Sequence, residues 1–542
     1  MKKEIGCGSL VHSSPGSTRT TTDLWLEEIF ENCFESIVGL WLGKHCCPFL
    51  NDPSSEVVVR PTRLFTELDA YMSEEWESST PGYLSDLPAQ KQAQDYQIDQ
   101  ILRRAIRAFS ARWLPLIPQE NSFGRDYDEE IREIWRASRK DMLRAINQVS
   151  YRSVMTLFLF GLTPIPNGIS DDEELEGLTG QICVQTALQQ VQRLRERQKN
   201  CQFNGAKVSP GSDTLVAPTP GPTLTQEYLA FESRAYWCAL MFDTSGSLTL
   251  NFRSSLTAGL NGFTSEPAWR LVKMWLAGSF HSRTEEWRTN GFEMTDDSAC
   301  QVISAAAACK LYVWKNIAVL KEALREGVEE EMVNQAWTSL MEGIDMFKVT
   351  IRPLMRDCER RLPFLGQLAR INWYETMLHY YLGILILVDA VEAAERSDLL
   401  SELTETRLDA EHEAFNALKF GLESQYTVYE PFTEQGAAFP AAPGRSITTS
   451  FVAVDPYPHH VVASVRLMNK VVYREYQQGK IKYEAYSYLS STLLKALEQL
   501  PQSSKSVQAA HQYFQIAFKD HDAMPLANTV YGISQEQECD IY

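Results

Sequence analysis

Apolar residues repeat every three or four positions along most of this chain, and this spacing constrains the fold more than any other feature. In the segment IDQILRRAIRAFSARWLPL, one helical face carries Ile98, Ile101, Leu102, Ala105 and Phe109. Long patterns of the same kind cover residues 296–325, 329–355, 365–396 and 404–426. Alternation with a period of two is scarce, and the best short strand candidate is SLTLNF at 247–252, for which an extended loop is an equal alternative. We therefore predict an all-α fold, a large domain of packed helical hairpins joined by long disordered loops.

Shifts in composition divide the chain into segments. A chain of 542 residues exceeds one ordinary core, so two or more packed units are expected. Helical signals begin at Asp23, which can serve as the N-cap of the first helix. The predicted segments are a disordered lead-in at 1–22, an N-terminal helical part at 23–203, a flexible linker loop at 204–226, a C-terminal helical part at 227–503 with a loop at 433–450, and a C-terminal helix and tail at 504–542.

The charge balance excludes some partners. With a formal net charge of -19, the chain lacks the basic surface that binding to nucleic acid or to an anionic membrane requires. The most apolar run, residues 380–391, is too short to span a bilayer and contains Asp389, which favours a buried helix. The 11 cysteines include no C-x-x-C pair, and Cys46 and Cys47 lack further zinc ligands nearby. We expect a soluble intracellular protein without a metal or cofactor.

The most chemical-looking motif is the acid cluster DDEE at residues 171–174. It follows two prolines and Ser170, a favourable N-cap residue, and Glu173 stands three positions further on, as in a capping box. The acids also suit the first turn of a helix, where the helix dipole is positive. The pattern therefore favours a hinge between two helices.

A magnesium site is the competing interpretation of these acids. Class I terpene cyclases bind magnesium and a diphosphate through D-D-x-x-[D/E], but Leu175 stands at the required fifth position here. The second ligand pattern of those enzymes, N-x-x-x-[S/T]-x-x-x-E, is matched by Asn334, Thr338 and Glu342. This pattern is short and degenerate, and an exposed helix face produces it by chance. A magnesium-dependent lyase remains the alternative hypothesis.

Other catalytic signatures are missing from the sequence. It contains no G-x-S-x-G elbow, no phosphate-binding G-x-x-x-x-G-K-[S/T] loop and no H-E-x-x-H helix. We therefore predict that the chain is not an enzyme. A plain helical scaffold is a third possibility.

One stretch, FESRAYWCALMFDTSGSLTLNFRSSLT, resembles a motif in the middle homology region of fungal binuclear zinc-cluster transcription regulators. The matching residues are Glu232, Arg234, Tyr236, Trp237, Asp243, Ser247 and Leu248. The Gly-Arg-Pro that follows in the family is replaced by Asn251, Phe252 and Arg253. The order of helices upstream is also similar, so the resemblance covers about residues 23–503.

The resemblance implies a regulatory domain that acts in the nucleus without catalysis. Such a domain senses a small-molecule effector or a partner, acts on the transcription machinery or a co-regulator, and is compatible with a homodimer. The family's six-cysteine DNA-binding module is missing from this chain, so the chain is either a fragment or a regulator that lacks the module. Candidate effector-binding residues are Trp237, Trp269, His281, Trp373 and His379, for which core packing is the alternative.

Overall fold

The computed structural model describes residues 21–50, 55–79, 87–117, 127–202, 225–289, 292–429 and 445–522. This part of the chain is all-α, as the sequence predicted, apart from one pair of short strands. The helices are α1 Thr21–Phe30, α2 Ser36–Leu42, α3 Pro61–Ser79, α4 Leu87–Ser110, α5 Tyr127–Asn147, α6 Tyr151–Leu162, α7 Asp171–Leu175, α8 Gly180–Gln202, α9 Gln226–Thr249, α10 Gly259–Ser265, α11 Pro267–Met274, α12 His281–Arg283, α13 Asp296–Glu326, α14 Glu330–Met346, α15 Arg352–Arg361, α16 Gln367–Ala393, α17 Ser397–Glu402, α18 Thr404–Glu423, α19 Phe451–Val454, α20 Pro458–Gln477, α21 Tyr483–Gln499 and α22 Lys505–Asp522. The strands are β1 Gln425–Tyr429 and β2 Ser446–Ser450.

Several helices continue through short turns of different winding. Wider π-helical turns at Glu31–Glu35, Trp275–Phe280 and Phe347–Ile351 extend α1, α11 and α14. The last of these precedes Pro353, which has no backbone N–H to donate to the preceding turn. The helical pattern predicted over 329–355 is therefore present, but it is divided between α14 and α15. Tighter 3-10 turns lie at Ala111–Leu116, Glu286–Arg288 and Leu362–Phe364.

Helix α13 lies at the centre of the packing, where it contacts α9, α14 and α16. It begins with a reciprocal cap, in which Thr295 and Ser298 each accept a hydrogen bond from the other's backbone N–H. It ends at Gly327, whose φ of 61° is the left-handed conformation that favours glycine. Residues 305–308 are four fully buried alanines. Their small side chains let the neighbouring helices approach closely.

The start of α6 is held by a buried carboxylate from α3. Asp69 accepts hydrogen bonds from the backbone N–H groups of Tyr151 and Arg152, at 2.7 and 3.0 Å, and from Arg152 Nε at 2.8 Å. The remaining guanidinium nitrogens of Arg152 bind Asp95 and Asp99. A carboxylate at a helix N-terminus satisfies backbone donors that have no partner within the helix. This contact fixes α6 against α3 and α4.

The described core is one continuous apolar cluster that runs from Trp25 to Phe514. The division into two or more packed units that the length suggested stays a prediction. Helices α13 and α16 are long and apolar enough to cross a membrane, but their apolar windows are 100% and 72% buried within the protein. Such burial is typical of core helices. The stretch at 380–391, which the sequence indicated as a buried helix, lies in α16. Helix α16 packs against α13, α18 and α20.

The strand pair corrects two sequence predictions. Residues 425–429 pair antiparallel with residues 446–450, with Tyr426 opposite Thr449 and Val428 opposite Ile447. Tyr426, Val428 and Ile447 are buried, so these short strands cover one edge of the core. The helix predicted to reach residue 426 ends at Glu423, and the end of the predicted loop at 433–450 is strand. The strand candidate at 247–252 was wrong, because α9 continues through Thr249 and no ladder forms there.

The first helix begins earlier than predicted. Helix α1 starts at Thr21, so Asp23 lies within its first turn and is not its N-cap. The Asp23 carboxylate instead pairs with Arg107 at 3.3 Å. The predicted lead-in up to residue 20, the linker loop up to 224, the loop over 433–444 and the tail from 523 lie outside the described residues. The C-terminal helix predicted after residue 504 is α22.

The close approach of α16 and α18 depends on Gly421. A Cβ atom at this position would lie 2.3 Å from Tyr374 Cε2. Tyr374 is fully buried and its hydroxyl is bonded to Asp455, so its ring has little freedom to move. We expect Gly421→Ala to lower the free energy of unfolding by about 1–3 kcal/mol, measured by urea denaturation. Gly278→Ala is the control, because a Cβ there meets nothing within 4 Å. Equal effects of the two substitutions would contradict this account.

Candidate functional site

Five titratable side chains meet inside the core, and we call them the buried polar cluster. They are Lys310 on α13, Glu375 and His379 on α16, Asp455 before α20, and His460 on α20. Each is at most 3% exposed. Glu375 and His379 share one face of α16 because they are four residues apart. Ionisable groups are rarely buried to this extent, so the cluster is the strongest functional candidate in the described residues.

Two histidines form the middle of the buried polar cluster. His379 Nε2 lies 3.1 Å from Glu375 Oε2 and 3.1 Å from His460 Nδ1. His460 Nε2 lies 3.3 Å from Ser245 Oγ on α9. Burial lowers the pKa of both imidazoles well below the ordinary value of 6.5, and the positive charge of Lys310 lowers both further. Both rings are therefore neutral at neutral pH.

Glu375 and Asp455 are two buried carboxyl groups that each affect the pKa of the other. Burial raises the pKa of Glu375 well above its ordinary value, and the charge of Asp455 raises it further. Burial also raises the pKa of Asp455, to about 6, against hydrogen bonds from Tyr457 N at 2.7 Å and the Tyr374 hydroxyl at 3.1 Å. Burial and the neighbouring Asp455 therefore both favour the protonated form of Glu375.

Lys310 supplies the positive charge of the buried polar cluster. Its Nζ lies 4.2 Å from the ring centroid of Trp41 and 5.1 Å from that of Trp314. The electron-rich faces of these rings stabilise a cation. Burial lowers the pKa of Lys310 to about 8, although Cys46 and Glu375 act in the opposite direction. The lysine thus holds its proton weakly.

The buried polar cluster can store or transfer protons, but it is enclosed. Because its members are at most 3% exposed, a solute can reach them only if the helices around them separate. Turnover of a substrate requires reactive groups that the substrate can contact. The arrangement can link the protonation state of the cluster to the packing of α13, α16 and α20.

The acid of the motif that resembles the family binds the loop that follows α9. Asp243, near the end of α9, accepts hydrogen bonds from the Ser254 hydroxyl and from the backbone N–H groups of Ser255 at 2.7 Å and Leu256 at 3.4 Å. From α13, Lys315 Nζ donates to Ser254 Oγ at 3.0 Å and to the Thr257 carbonyl at 2.6 Å. The loop that follows α9 is therefore held between a buried acid and a buried lysine.

Other motif residues connect α9 to its surroundings. Glu232 pairs with Arg195 at 2.8 Å, and the Tyr236 hydroxyl donates to Glu266 at 2.6 Å. Arg234 is buried, with its guanidinium 5.7 Å from the Phe231 ring centroid. These contacts give each residue a structural role.

Trp237 connects the motif to the buried polar cluster. Its indole N–H donates to the Trp41 carbonyl at 3.1 Å. The Trp41 ring in turn lies 6.3 Å from the ring of His379 and covers Lys310. A change of packing at α9 can therefore reach the cluster through one residue.

The structure does not gather the five candidate effector-binding residues into one pocket. Trp237 and Trp269 are fully buried neighbours, with ring centroids 5.7 Å apart. His281 Nδ1 lies 3.2 Å from Thr350 Oγ1 on the π-helical turn after α14. Trp373 packs edge-on against Phe420 of α18. The rings of Trp237 and His379 each have a contact with Trp41, so these two are joined indirectly.

The acid cluster has the structural role that the sequence favoured, with one correction. Ser170 Oγ accepts a hydrogen bond from Glu173 N at 3.2 Å and caps α7. The reciprocal half of the predicted capping box is not made, because the Glu173 carboxylate binds Arg136 through two hydrogen bonds of 2.6 and 3.0 Å. Lys505, at the start of α22, contacts both Asp171 and Glu174.

The structure gives the magnesium hypothesis no support. Asp171 and Asp172 are exposed on α7, where Asp171 pairs with Lys505. Glu342 is exposed on α14 and pairs with Lys273 at 2.5 Å, and the Thr338 hydroxyl donates to the Asn334 carbonyl. Among the described residues, no group of three or more His, Cys, Asp or Glu side chains could hold a metal ion.

Comparisons with protein-family models, with curated proteins and with solved structures found no match to this chain.

Sequence reasoning missed most of the buried polar cluster. It named His379, but not Lys310, Glu375, Asp455 or His460, as a candidate site residue. The signal available was weak, since the five residues are spread over three separate segments of the sequence. An ionisable residue within an otherwise apolar helix, such as Glu375 in NWYETMLHYY, was the one local indication.

Proposed function

We propose that this chain is the regulatory domain of a transcription factor of the fungal zinc-cluster type, which controls transcription without catalysis. The observation that carries the proposal is the set of contacts around Asp243. This acid lies near the end of α9 and binds the loop that follows, and both belong to the stretch that resembles the family. A chance match of a degenerate motif would not require its acid to hold this loop.

The remaining parts of the proposal agree with the physical properties of the chain. A net charge of -19 favours a separate DNA-binding module over contact of this chain with DNA. The enclosed buried polar cluster favours a switch in helix packing over turnover. The domain would act in the nucleus on the transcription machinery or a co-regulator, alone or as a homodimer, in response to a small effector or a partner.

A reporter assay tests this function. Fusing residues 1–542 to an unrelated DNA-binding domain is expected to raise or lower transcription from the matching promoter several-fold, relative to the unfused DNA-binding domain. Asp243→Ala in the same fusion is expected to abolish the change, because the effect requires the folded domain. A fusion that is folded and nuclear but leaves transcription unchanged under every growth condition would overturn the proposal.

A further inference from the structure

One face of the packed helices α4 and α5 is basic, although the chain as a whole has a net charge of -19. We use the name basic face for its exposed cations, which are Arg103, Arg104, Arg107, Lys140 and Arg144. Arg103 and Arg107 share one side of α4 because they are four residues apart, and Lys140 and Arg144 are related in the same way on α5. Asp141 of α5 binds Arg104 at 2.5 Å and Arg144 at 3.4 Å, so the two sets of cations lie side by side.

The acids that touch the basic face do not balance its charge. Asp141 is 3% exposed and is shared by two arginines. Asp23 pairs with Arg107 at 3.3 Å. The other acids of α5 lie in its first two turns, at 128–133, whereas the cations of the basic face lie in its last two turns. Arg103 and Lys140 have no ion-pair partner among the described residues. Positive charge is therefore left over at this surface.

The chain itself contains a segment of the opposite charge, and we call residues 533–542, ISQEQECDIY, the acidic segment. It carries Glu536, Glu538 and Asp540 and contains no Lys or Arg. It belongs to the stretch 523–542, which lies outside the described residues. Of all the stretches outside the described residues, this one has the largest excess of acids over Lys and Arg. The acidic segment thus has the charge that the basic face would attract.

The acidic segment is also long enough to reach the basic face. Helix α22 starts near α5, because its first residue, Lys505, binds α7, and α7 binds Arg136 of α5, one turn before Lys140. The 18 residues of α22 extend about 27 Å. The residues from 523 to 536 can span up to about 46 Å when extended. The acids can therefore return to α5 even if α22 points directly away from it.

We propose that the basic face binds the acidic segment of the same chain. Ion pairs between exposed side chains are individually weak, but the covalent connection raises the local concentration of the segment and compensates for this weakness. A net charge of -19 repels a long polyanion such as nucleic acid, which favours a short connected segment as the occupant. The proposal does not depend on the proposed transcriptional role, because the contact is a property of the isolated chain.

Carbodiimide cross-linking of the purified 542-residue chain, followed by mass spectrometry, tests the contact. The reagent activates a carboxyl group, and a lysine amine then attacks it to form an amide while the reagent leaves as a urea. We expect Lys140 to form links to the acidic segment at a yield at least about fivefold above that of Lys480, whose side chain is 60% exposed on another helix. About 1 M NaCl is expected to remove this difference, because it reduces the screening length to about 3 Å.

A double variant, Arg103→Gln with Arg144→Gln, separates attraction from simple proximity. It removes two positive charges but keeps Lys140 and every carboxyl group of the acidic segment. We expect the yield of links from Lys140 to fall by about fivefold or more, with the unfolding temperature nearly unchanged. Arg360→Gln is the matched control, because Arg360 is 77% exposed and pairs with an aspartate three residues earlier, as the 72% exposed Arg144 does. It is expected to leave the yield unchanged.

A mixture of isotope-labelled and unlabelled chains distinguishes links within one chain from links between two chains. We expect links within one chain. The proposal is overturned if Lys140 forms links to the acidic segment no more often than Lys480 does, or if the links form only between chains. It is equally overturned if the double variant gives the same yield as the wild type.

Discussion

Replacement of Asp243 by alanine is expected to lower the free energy of unfolding by about 3–5 kcal/mol, the cost of removing one member of a buried charged network. The substitution leaves two backbone N–H groups and the Ser254 hydroxyl without their acceptor. It also removes a negative charge that acts on Lys315, whose pKa burial lowers to about 8 against the opposing effect of Asp243. Urea denaturation followed by circular dichroism measures the loss.

Two control variants separate the effect of the Asp243 contacts from the general effect of replacing an aspartate. Asp243→Asn keeps the size of the side chain and one acceptor oxygen, so we expect a loss of about 1–3 kcal/mol, mainly from the missing charge. Asp172→Ala removes an exposed acid from α7 and is expected to change stability by less than about 0.5 kcal/mol. A loss below about 1 kcal/mol for Asp243→Ala would show that the loop after α9 does not depend on this acid.

The helices were predictable because the residues that determine each helix lie close together in the sequence. In α13, α16 and α18, the apolar spacing lies within one segment, so periodicity placed these helices to within a few residues. The strands were missed for the opposite reason. Tyr426 and Val428 are buried in alternation, but their partners follow about twenty positions later, and a five-residue strand offers few repeats to detect.

The buried polar cluster was not predictable from periodicity for a related reason. Its members come from three helices and a turn, with 150 residues between Lys310 and His460. A buried ionisable residue has the same spacing as an apolar one on its helix, so the pattern does not reveal it. The motif around Asp243 was easier, since Asp243 and the loop residues that bind it are 11–13 positions apart and lie within the stretch that resembles the family.

Replacement of Glu375 by glutamine is expected to stabilise the protein increasingly as the pH rises. In the wild type, the folded pKa of Glu375 is raised well above 4.5, mainly by burial. Its contribution to stability is complete below that value, and it is lost as the pH rises, because the unfolded chain releases a proton that the folded chain retains. The loss is up to about 1.4 kcal/mol per pH unit. Glutamine is neutral at every pH, so it avoids this loss.

The measurement is the difference in unfolding free energy between Glu375→Gln and the wild type. As the pH rises above about 5, this difference is expected to change in favour of the variant, by at most about 1.4 kcal/mol per pH unit. Glu405→Gln is the control, because the Glu405 side chain is 94% exposed, and its difference from the wild type is expected to stay nearly constant. A constant difference for Glu375→Gln as well would mean that Glu375 is charged in the folded protein. Lys310 would then have to balance that charge, and the buried polar cluster would be an ion pair rather than a store of protons.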